Sequence, residues 1–478
     1  MNPNTASFFG AEPPGPRGWP LIGSLPAFSR DPIGFWMRLA LRHGGVAKYR
    51  MGPERHFLIS DPVLIGQVLH HDVVRYYRGK YHELLKPAFG EGLLTANGDE
   101  WRRQRQFLQP AFSKQRIASW LDIVVEGTEA RMAAWSARPR SSPIGMAGEM
   151  AGLIQDINAK ILFGRNLPYR ANAAMLEAVN AINDSLLRQV KRAMIGDGWL
   201  NRLPLADVRR FRGAVSLLHQ TVDHLIEHQR AQEENGGGLC ALLTRAAIEA
   251  SPEALHPRDQ LITLFLSGHE TTAVALAWIF YFLTEHPDWA ERLSDEAVTV
   301  LADRPPAVED LPRLSQTRRA VDESLRLRPP VYGIGRRARI EHTLGTWRIP
   351  AESPVLISPY VMHHHPDYWE NPDRFDPDRF VPEQARSRPS FSYFPFGGGP
   401  HTCLGRHLAM MELLTIVALV ARAFRLSAPK GRRVALQPWL TLRPKPEVLV
   451  SVARRMNISI KSSIHRQRPG HGAEIPHI

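Results

Sequence analysis

A cysteine in a glycine-rich loop is the residue of this sequence best suited to metal chemistry. The loop, residues 394–406, places Cys403 just before an apolar stretch that begins at His407 and reads as a helix. A thiol at a helix start faces unpaired backbone N–H groups and the positive end of the helix dipole, which favours the thiolate. The glycines allow close approaches that a side chain would block. A thiolate presented in this way is a good ligand for a soft or borderline metal.

A second group of reactive side chains interrupts a long apolar helix. The pattern predicts a helix over residues 257–286, with a proline suited to its first turn and another just past its end. Within it, residues 267–272 read Ser-Gly-His-Glu-Thr-Thr. Glycine and back-bonding threonines loosen the helical ladder and open a local groove. Glu270 and Thr271 beside such a groove could hold water and pass protons.

The cysteine loop resembles the haem-binding loop of the cytochrome P450 family. That family's pattern is Phe, two residues, Gly, one residue, Arg or His, one residue, Cys, one residue, Gly. Every fixed position is filled here, by Phe396, Gly399, His401, Cys403 and Gly405. The resemblance implies that Cys403 is the axial ligand of haem iron and that the other four residues help to bind the cofactor.

The interrupted helix is similar to the family's Ala/Gly-Gly-x-Asp/Glu-Thr-Thr/Ser motif. The resemblance implies that Thr271 orients oxygen and that Glu270 serves proton delivery. Ser267 stands where the family has Ala or Gly, and this difference predicts an extra hydroxyl in the substrate cavity.

Other segments match the family's contacts with the haem edge. Trp101 and Arg105 lie four residues apart and share one helix face. By resemblance they reach a haem propionate, with the arginine making a charge-assisted contact. Arg336 is the predicted partner of the second propionate, and Arg337 is the alternative. Substrate-cavity residues predicted from the same strand are Val331, Tyr332 and Ile334.

A buried ion-pair cluster is expected behind the cysteine loop. Glu323 and Arg326 lie one turn apart on a predicted helix, and Arg379 follows about fifty residues later in a Pro-Asp-Arg-Phe segment. An isolated pair of this kind is usually a weak surface contact. The order of the motifs resembles the family's Glu–Arg–Arg triad, which implies a structural, haem-retaining role.

Composition limits the class of protein. The chain has 478 residues, 44% of them hydrophobic, which suits a globular protein with a large core. Cys240 and Cys403 lie far apart and suggest no disulfide framework, so a reducing, cytoplasmic location is expected, with Cys240 as a small buried side chain. The N-terminus shows no secretory signal. The longest apolar run, residues 273–283, is shorter than the ~20 residues that span a bilayer, so no transmembrane anchor is expected.

The chain carries an excess of positive charge, with 60 Lys and Arg against 47 Asp and Glu, a net charge of +13. The basic residues are spread along the chain without a nucleic-acid-binding signature, so nucleic acid is not an expected partner. An acidic electron-transfer protein fits the resemblance, and an ordinary solvated basic surface is the alternative. The candidate docking residues are Arg102, Arg103, Lys114 and Arg406.

Smaller elements are predicted around these motifs. Residues 72–97 combine many apolar side chains in an irregular pattern and read as a lid over an apolar cavity. Two hairpins are expected, one joining residues 347–349 to 355–358 and one joining 440–444 to 448–452. His363, His364 and His365 are consecutive and project in different directions, so a solvated loop is favoured over a metal site.

The predicted architecture is mainly α with a small β-rich subdomain, the cytochrome P450 fold, with haem between the long helix and the Cys403 loop. Residues 1–12 form a disordered N-terminus, 13–455 one catalytic domain and 456–478 a basic, disordered tail. The resemblance implies a haem b monooxygenase that inserts one atom of O2 into a C–H bond of a lipophilic terpenoid, fatty acid or steroid-like molecule. A ferredoxin or flavodoxin-type donor with its reductase supplies electrons, and the protein is expected to be monomeric.

Two alternatives stay open from the sequence. The first is a peroxygenase, or an isomerase acting on a peroxide, which keeps the haem-thiolate but needs no electron donor. Such an enzyme would tolerate the loss of Thr271 and Glu270. The second is a haem sensor or carrier without catalysis, against which the acid and hydroxyl of that pair argue.

Overall fold

The computed structural model describes residues 10–139, 142–164, 169–194, 205–231, 238–243, 256–429 and 434–455, together with 203 and 431. Helices account for most of these residues, as expected. The helices, in chain order, are α1 Leu25–Arg30, α2 Pro32–His43, α3 Pro62–Gly66, α4 Lys80–Glu83, α5 Lys86–Phe89, α6 Gly98–Leu108, α7 Lys114–Ala118, α8 Leu121–Ser136, α9 Met146–Phe163, α10 Tyr169–Met194, α11 Ala206–Ala231, α12 Pro257–Glu285, α13 Pro287–Leu301, α14 Ser315–Leu327, α15 Pro359–His363, α16 Pro382–Ser387 and α17 Arg406–Ala423.

The strands form four small sheets. Their bounds are β1 Val46–Met51, β2 Glu54–Ile59, β3 Tyr76–Tyr77, β4 Ile144–Gly145, β5 Ile334–Ala338, β6 His342–Leu344, β7 Trp347–Ile349, β8 Pro354–Ile357, β9 Phe424–Ser427, β10 Ala435–Pro438, β11 Leu442–Lys445 and β12 Leu449–Arg454. The largest sheet has the order β1-β2-β8-β5-β3, in which β2 and β8 are parallel and the other neighbours antiparallel. A second sheet has the order β4-β12-β9, and β6-β7 and β10-β11 are separate pairs.

The long helix α12 is the centre of the main core. It packs along α9 and α17, and its Trp278, Ile279 and Phe280 are fully buried. Among the described residues, α12 is the helix long and apolar enough to cross a membrane by composition, and 78% of its most apolar window is buried within the protein. Burial on all sides explains why its sequence is apolar all round.

Local sequence signals account for the N-terminal elements. The strand β1 buries Ala47, Tyr49 and Met51 and pairs with β2. The carboxylate of Asp61 accepts a hydrogen bond from Leu64 N at 2.9 Å, which caps the start of α3. Cys240 is fully buried, as expected.

Both predicted hairpins were wrong. The strand β7 pairs with β6 across a two-residue turn at Gly345 and Thr346, and β8 lies between β2 and β5. The strand β11 pairs with the preceding β10, whereas β12 joins β4 and β9. Glycine at a positive φ favours tight turns, and Gly345 has φ +60°, so the closer turn determines the pairing.

The three consecutive histidines are buried, so the prediction of a solvated loop was wrong. His363 ends α15 and accepts a hydrogen bond from Phe394 N at its Nε2, 3.0 Å away. His364 donates from Nδ1 to the Tyr360 carbonyl at 2.9 Å. Burial, with the nearby Arg326 charge, lowers the pKa of His363 to about 3, so the ring is neutral and serves as an acceptor.

The chain ends lie largely outside the described residues. Ala11, within the segment expected to be disordered, forms a bridge with Trp347, and Glu12 forms an ion pair with Lys48 at 2.9 Å. The tail 456–478 lies wholly outside the described residues.

Candidate functional site

A cavity of about 420 Å³ lies between α12 and the cysteine loop. Its walls also include residues of α6, α9 and α17, the segment before β5 and part of the predicted lid. The apolar wall residues on the α12 side include Leu93, Leu94, Phe112, Ile161, Leu162 and Leu264. Of the predicted lid, Leu93 and Leu94 line this cavity, whereas Phe89 packs in the core and does not line it.

Cys403 lies three residues before α17 and is exposed toward the cavity that it lines. Its backbone N donates to the Phe396 carbonyl at 3.0 Å, which closes the loop. Gly399 has φ +65°, and a Cβ there would lie 1.8 Å from the Leu69 carbonyl oxygen, so this position requires glycine. A Cβ on Gly405 would meet nothing within 4 Å. The loop therefore presents its thiol to open space.

The protein alone does not favour the Cys403 thiolate as strongly as the helix start suggested. Burial raises the pKa of the Cys403 thiol, while the Gly405 N–H and the charges of Arg105 and Arg406 oppose this effect. Because a coordinated metal ion deprotonates a thiol outright, a cation in the cavity would supply the missing stabilisation.

Three guanidinium groups line one end of the cavity without an acidic partner among the described residues. Arg78 donates to the Leu93 and Ala96 carbonyls at 2.8 and 2.7 Å, Arg105 to the Thr402 carbonyl at 3.0 Å, and Arg336 to the adjacent Gly335 carbonyl at 2.8 Å. Burial lowers the pKa of Arg78 to about 9 and of Arg336 to about 10. Buried cations without counter-charge are costly, which indicates an anionic ligand at this end.

The residues present fit iron protoporphyrin IX. Its two propionates would match the guanidinium groups of the cavity wall, and the Cys403 thiol would bind its iron. Trp101 lies against His401 with ring centroids 3.8 Å apart, and both line the cavity near the arginines. Burial first, and then the Arg78 charge, lowers the pKa of His401 to about 3, so its ring is neutral.

The sequence left open whether Arg336 or Arg337 contacts the second propionate. The two side chains have different surroundings. Arg336 lines the cavity, whereas Arg337 forms an ion pair with Glu54 and donates to the Glu352 carbonyl at 2.7 Å. Alternation of side chains along β5 explains the difference. Arg336 is the better candidate for a propionate.

We expect Arg336→Leu to speed haem loss about tenfold or more, because a hydrogen bond between charged groups is worth roughly 1.5–3 kcal/mol. Transfer of haem to an excess of a haem-scavenging protein measures the rate. Arg337→Leu is the matched control and should change it little. In the haem-free protein, Arg336→Leu should not lower the unfolding midpoint, since it removes a charge in the protein interior that has no acidic partner in the described part of the chain. Equal haem-loss rates for the two variants would contradict this assignment.

Thr271 and Ser267 line the cavity, and the Thr271 hydroxyl donates to the Ser267 carbonyl at 2.7 Å. Glu270 does not line it. Its carboxylate accepts from the Thr441 hydroxyl at 2.5 Å and from Arg443 Nε at 2.8 Å, and it also contacts Asn183. Successive residues project in different directions around a helix, so the expected shared relay of Glu270 and Thr271 is not formed. A part in proton delivery would require this carboxylate to leave its partners.

A buried acid that sequence reasoning missed lies in the cavity wall. Glu412 of α17 is 2% exposed, its Oε1 has no hydrogen-bond partner among the described residues, and Thr272 hydrogen-bonds to its carboxyl group. Burial raises the pKa of Glu412 to about 8, opposed by the Thr272 hydroxyl. At neutral pH this carboxyl group therefore holds its proton.

The Glu412 pKa predicts a dependence of stability on pH. A raised folded-state pKa means that the folded protein binds a proton which the unfolded chain releases above about pH 4.5. Stability should fall as the pH rises from about 5 to 8, by at most roughly 4 kcal/mol from this group. Glu412→Gln should flatten that part of the curve, as measured by unfolding midpoints at several pH values. The exposed Glu383→Gln is the control, and an unchanged slope in Glu412→Gln would contradict the prediction.

The predicted structural triad is assembled as one buried cluster. Arg326 donates from Nε and Nη2 to the two oxygens of Glu323 at 2.6 and 2.8 Å, and both side chains are fully buried. Arg379 Nε lies 3.6 Å from Glu323 Oε1. Arg326 also donates to the His363 carbonyl at 2.8 Å. Because the His363 ring accepts from the backbone N–H that opens the cysteine loop, the cluster is connected to the site through one residue.

Of the three substrate-cavity residues predicted at and just before the start of β5, two line the cavity. Val331 and Ile334 line the cavity. Tyr332 does not; its hydroxyl donates to the Trp439 carbonyl at 2.6 Å and its ring packs near Trp36. That substrate-cavity prediction was wrong for Tyr332, because it points to the opposite side of the chain from its neighbours.

Sequence reasoning also missed Arg78 and His82, which line the cavity within the predicted lid. Both are polar residues in a stretch that carries many apolar side chains. This contrast could have identified them as candidates for the cavity wall. Glu412 offered a similar one, since it is a lone acid within an apolar run of α17. A buried charge in such a place is uncommon without a partner or a function.

Comparison with known proteins agrees with the geometry. The family model described as Cytochrome P450 matches residues 13–451. Cyclooctatin synthase of Streptomyces melanosporofaciens is 36% identical over 90% of this chain and 93% of its own length. Cyclooctat-9-en-7-ol 5-monooxygenase of the same organism is 32% identical, covering 87% and 90%. Pentalenene oxygenase of Streptomyces avermitilis is 30% identical, covering 93% and 96%.

Proposed function

The chain belongs to the cytochrome P450 family of monooxygenases, and we propose that it inserts one oxygen atom of O2 into a C–H bond of a terpenoid. The three named Streptomyces relatives support this substrate class, since their names refer to cyclooctatin, cyclooctat-9-en-7-ol and pentalenene. The apolar wall of the cavity suits a lipophilic hydrocarbon skeleton.

The proposed cofactor is haem b, which when bound supplies the oxygen-activating chemistry. The observation that carries this proposal is the set of three guanidinium groups, without an acidic partner among the described residues, that line the same cavity as a free thiol. Arg78, Arg105 and Arg336 would hold the propionates, and the Cys403 sulfur would bind the iron. Thr271 and Ser267 line the substrate side, where Thr271 would hold a proton donor in place.

A reconstitution experiment tests the function. Purified protein with haem should show the red-shifted Soret band of a thiolate-ligated ferrous carbon-monoxide complex. With a ferredoxin, its reductase and NADPH, polycyclic terpenes should yield products carrying one atom from ¹⁸O2. Turnover with hydrogen peroxide but none with the electron-donor chain would favour the peroxygenase alternative. A normal carbon-monoxide band without turnover under either condition would favour a sensor or carrier.

The electron donor is proposed to be an acidic ferredoxin or flavodoxin that docks beside the cysteine loop. Lys114 and Arg406 are exposed and both lie near His407, whose pKa is lowered first by burial and then by these charges and Arg318. Arg102 and Arg103 are exposed too, but each has an acidic partner one turn away, Asp99 and Glu100. Lys114 has no such partner among the described residues, so it should contribute more of the attraction.

Lys114→Glu is therefore expected to slow reduction by the donor severalfold and to flatten its dependence on salt. Stopped-flow reduction at several ionic strengths measures both effects. Arg212→Glu on the exposed side of α11 is the control for the change in net charge. Identical salt dependence in the Lys114 variant and the parent protein would remove Lys114 from the docking surface.

A further inference from the structure

One face of α12 carries a column of hydroxyl groups along the cavity. Thr263, Ser267 and Thr271 are spaced four residues apart, and all three line the cavity. Residues at this spacing share a helix face and rise about 6 Å per step. Thr271 therefore lies roughly 6 Å along the helix from Ser267 and roughly 12 Å from Thr263.

The hydroxyl groups of Thr263 and Ser267 make no hydrogen bond to the described residues, so their hydrogen-bonding capacity is unused by the protein. Thr263 is 4% exposed, and its Oγ1 has no hydrogen-bond partner among the described residues. It faces the lid, where a Cβ on Gly92 would lie 2.3 Å from that oxygen. Ser267 is exposed, and because it lines the cavity its hydroxyl is open to the cavity. Thr271 differs, since its hydroxyl already donates to the helix backbone.

A third polar group, on α9, lies beside α12. Asn158 of α9 is 6% exposed, lines the cavity, and its Nδ2 has no hydrogen-bond partner among the described residues. It approaches α12 next to Ser267, because a Cβ on Gly268 would lie 3.3 Å from that nitrogen. Around these groups the wall is apolar, with Ile161, Leu162 and Leu264. An unsatisfied buried amide or hydroxyl in such surroundings is costly unless a ligand completes its hydrogen bonds.

We propose that Thr263, Ser267 and Asn158 recognise a hydroxyl group already present on the substrate. An alcohol both donates and accepts, so it can accept from the Asn158 amide and donate to a side-chain hydroxyl oxygen. The substrate class is a polycyclic terpenoid alcohol, and the reaction that supplies it must already have oxygenated the hydrocarbon skeleton. This inference rests on the proposed function, because it takes Thr271 to mark the oxidised carbon.

The geometry also limits where that hydroxyl lies on the substrate. Since the two free hydroxyl groups lie one and two helical steps from Thr271, the recognised group should be roughly 6–12 Å from the carbon that is oxidised. A skeleton of several fused rings spans such a distance, so oxidation is expected at the far end of the molecule from the existing alcohol.

Matched pairs of ligands test the proposal. The haem-loaded protein is titrated with cedrol and cedrane, borneol and bornane, and drimanol and drimane, each an alcohol and its parent hydrocarbon, and the Soret shift gives a dissociation constant. In at least one pair the alcohol should bind about tenfold more tightly, because a site built to hydrogen-bond a hydroxyl rejects the analogue that lacks it. Equal constants, or no binding, in all three pairs would overturn the proposal.

Variants then assign the preference to the named residues. Ser267→Ala and Thr263→Val should each reduce the ratio of alcohol to hydrocarbon affinity severalfold, and the double variant should remove it, with the hydrocarbon constant nearly unchanged. Thr284→Val is the matched control, since Thr284 is on the same helix outside the cavity wall and bonds to the Tyr281 carbonyl. An unchanged ratio in the double variant would overturn the assignment. Failure of the proposed function would appear earlier, as a protein lacking the thiolate-type carbon-monoxide band.

Discussion

Cys403→Ser is expected to abolish the thiolate-type carbon-monoxide spectrum and to reduce monooxygenase turnover to background, while the chain stays folded. The thiol faces the cavity rather than the packed core, and serine is nearly the same size, so little packing is lost. The loop does not depend on the sulfur, because Cys403 N and the Thr402 hydroxyl both bond to the Phe396 carbonyl. What changes is the ligand, since a hydroxyl is a poor substitute for a soft thiolate.

The Cys403→Ser experiment requires a measurement of folding and a control variant at the other cysteine. Far-ultraviolet circular dichroism and the unfolding midpoint of the haem-free protein should match the parent, which separates loss of the ligand from loss of the fold. Cys240→Ala is the control, because Cys240 is buried in a different core cluster and does not line the cavity. A Cys403→Ser protein that kept the parent carbon-monoxide spectrum would contradict both the ligand assignment and the proposed function.

Structural elements that depend on a few neighbouring residues were predictable from the sequence. The bounds of α12 follow from proline at the first turn and from an apolar run that ends before another proline, whereas α2 begins at a proline and ends before Gly44. The cysteine loop follows from its glycines, one of which has a conformation and a close contact that only glycine tolerates. In both cases the information lies within a few consecutive residues.

The partners of strands and side chains that meet across long stretches of sequence were not predictable. The partners of β12 come from β4 and β9, which lie far away in the chain, and no local signal selects them over a nearby strand. The partners of Glu270 are likewise distant, since Arg443 lies on another element. A helix motif alone shows that an acid follows a glycine and precedes a threonine. It does not show which of these side chains faces the cavity.

Burial of polar residues was the least predictable property. Three consecutive histidines suggested a solvated segment, yet His363 receives the N–H that opens the cysteine loop. Arg78 occupies an apolar segment because its charge faces the cavity, where the ligand's anionic groups are proposed to lie. Such residues are placed by their partners rather than by their own hydropathy.

Arg326→Met is expected to lower the free energy of unfolding by about 3–5 kcal/mol, because it removes the bidentate partner of Glu323 in a dry interior and leaves this acid only the more distant Arg379, 3.6 Å away, and the Asp376 N–H. Both side chains are fully buried, and the pair is bidentate, at 2.6 and 2.8 Å. The guanidinium also donates to the His363, Pro372 and Arg374 carbonyls at 2.8, 2.7 and 3.2 Å, and these acceptors would lose their donor. Burial already raises the pKa of Glu323 against the opposing effect of Arg326, so the carboxyl of the variant should take up a proton.

The matched control is the same pair at the surface. Arg103 and Glu100 have the same spacing and residue types, with a distance of 2.6 Å, but the arginine is 61% exposed. Because exposed pairs contribute about 0–1 kcal/mol, Arg103→Met should change the urea midpoint little. Adding Glu323→Leu to Arg326→Met should recover part of the loss, since the buried acid that lost its bidentate partner is then absent. His363 joins this pair to the cysteine loop, so Arg326→Met should also speed haem loss, whereas Arg103→Met should not. Equal urea midpoints for the two single variants would show that the buried pair stabilises the fold no more than the exposed pair does.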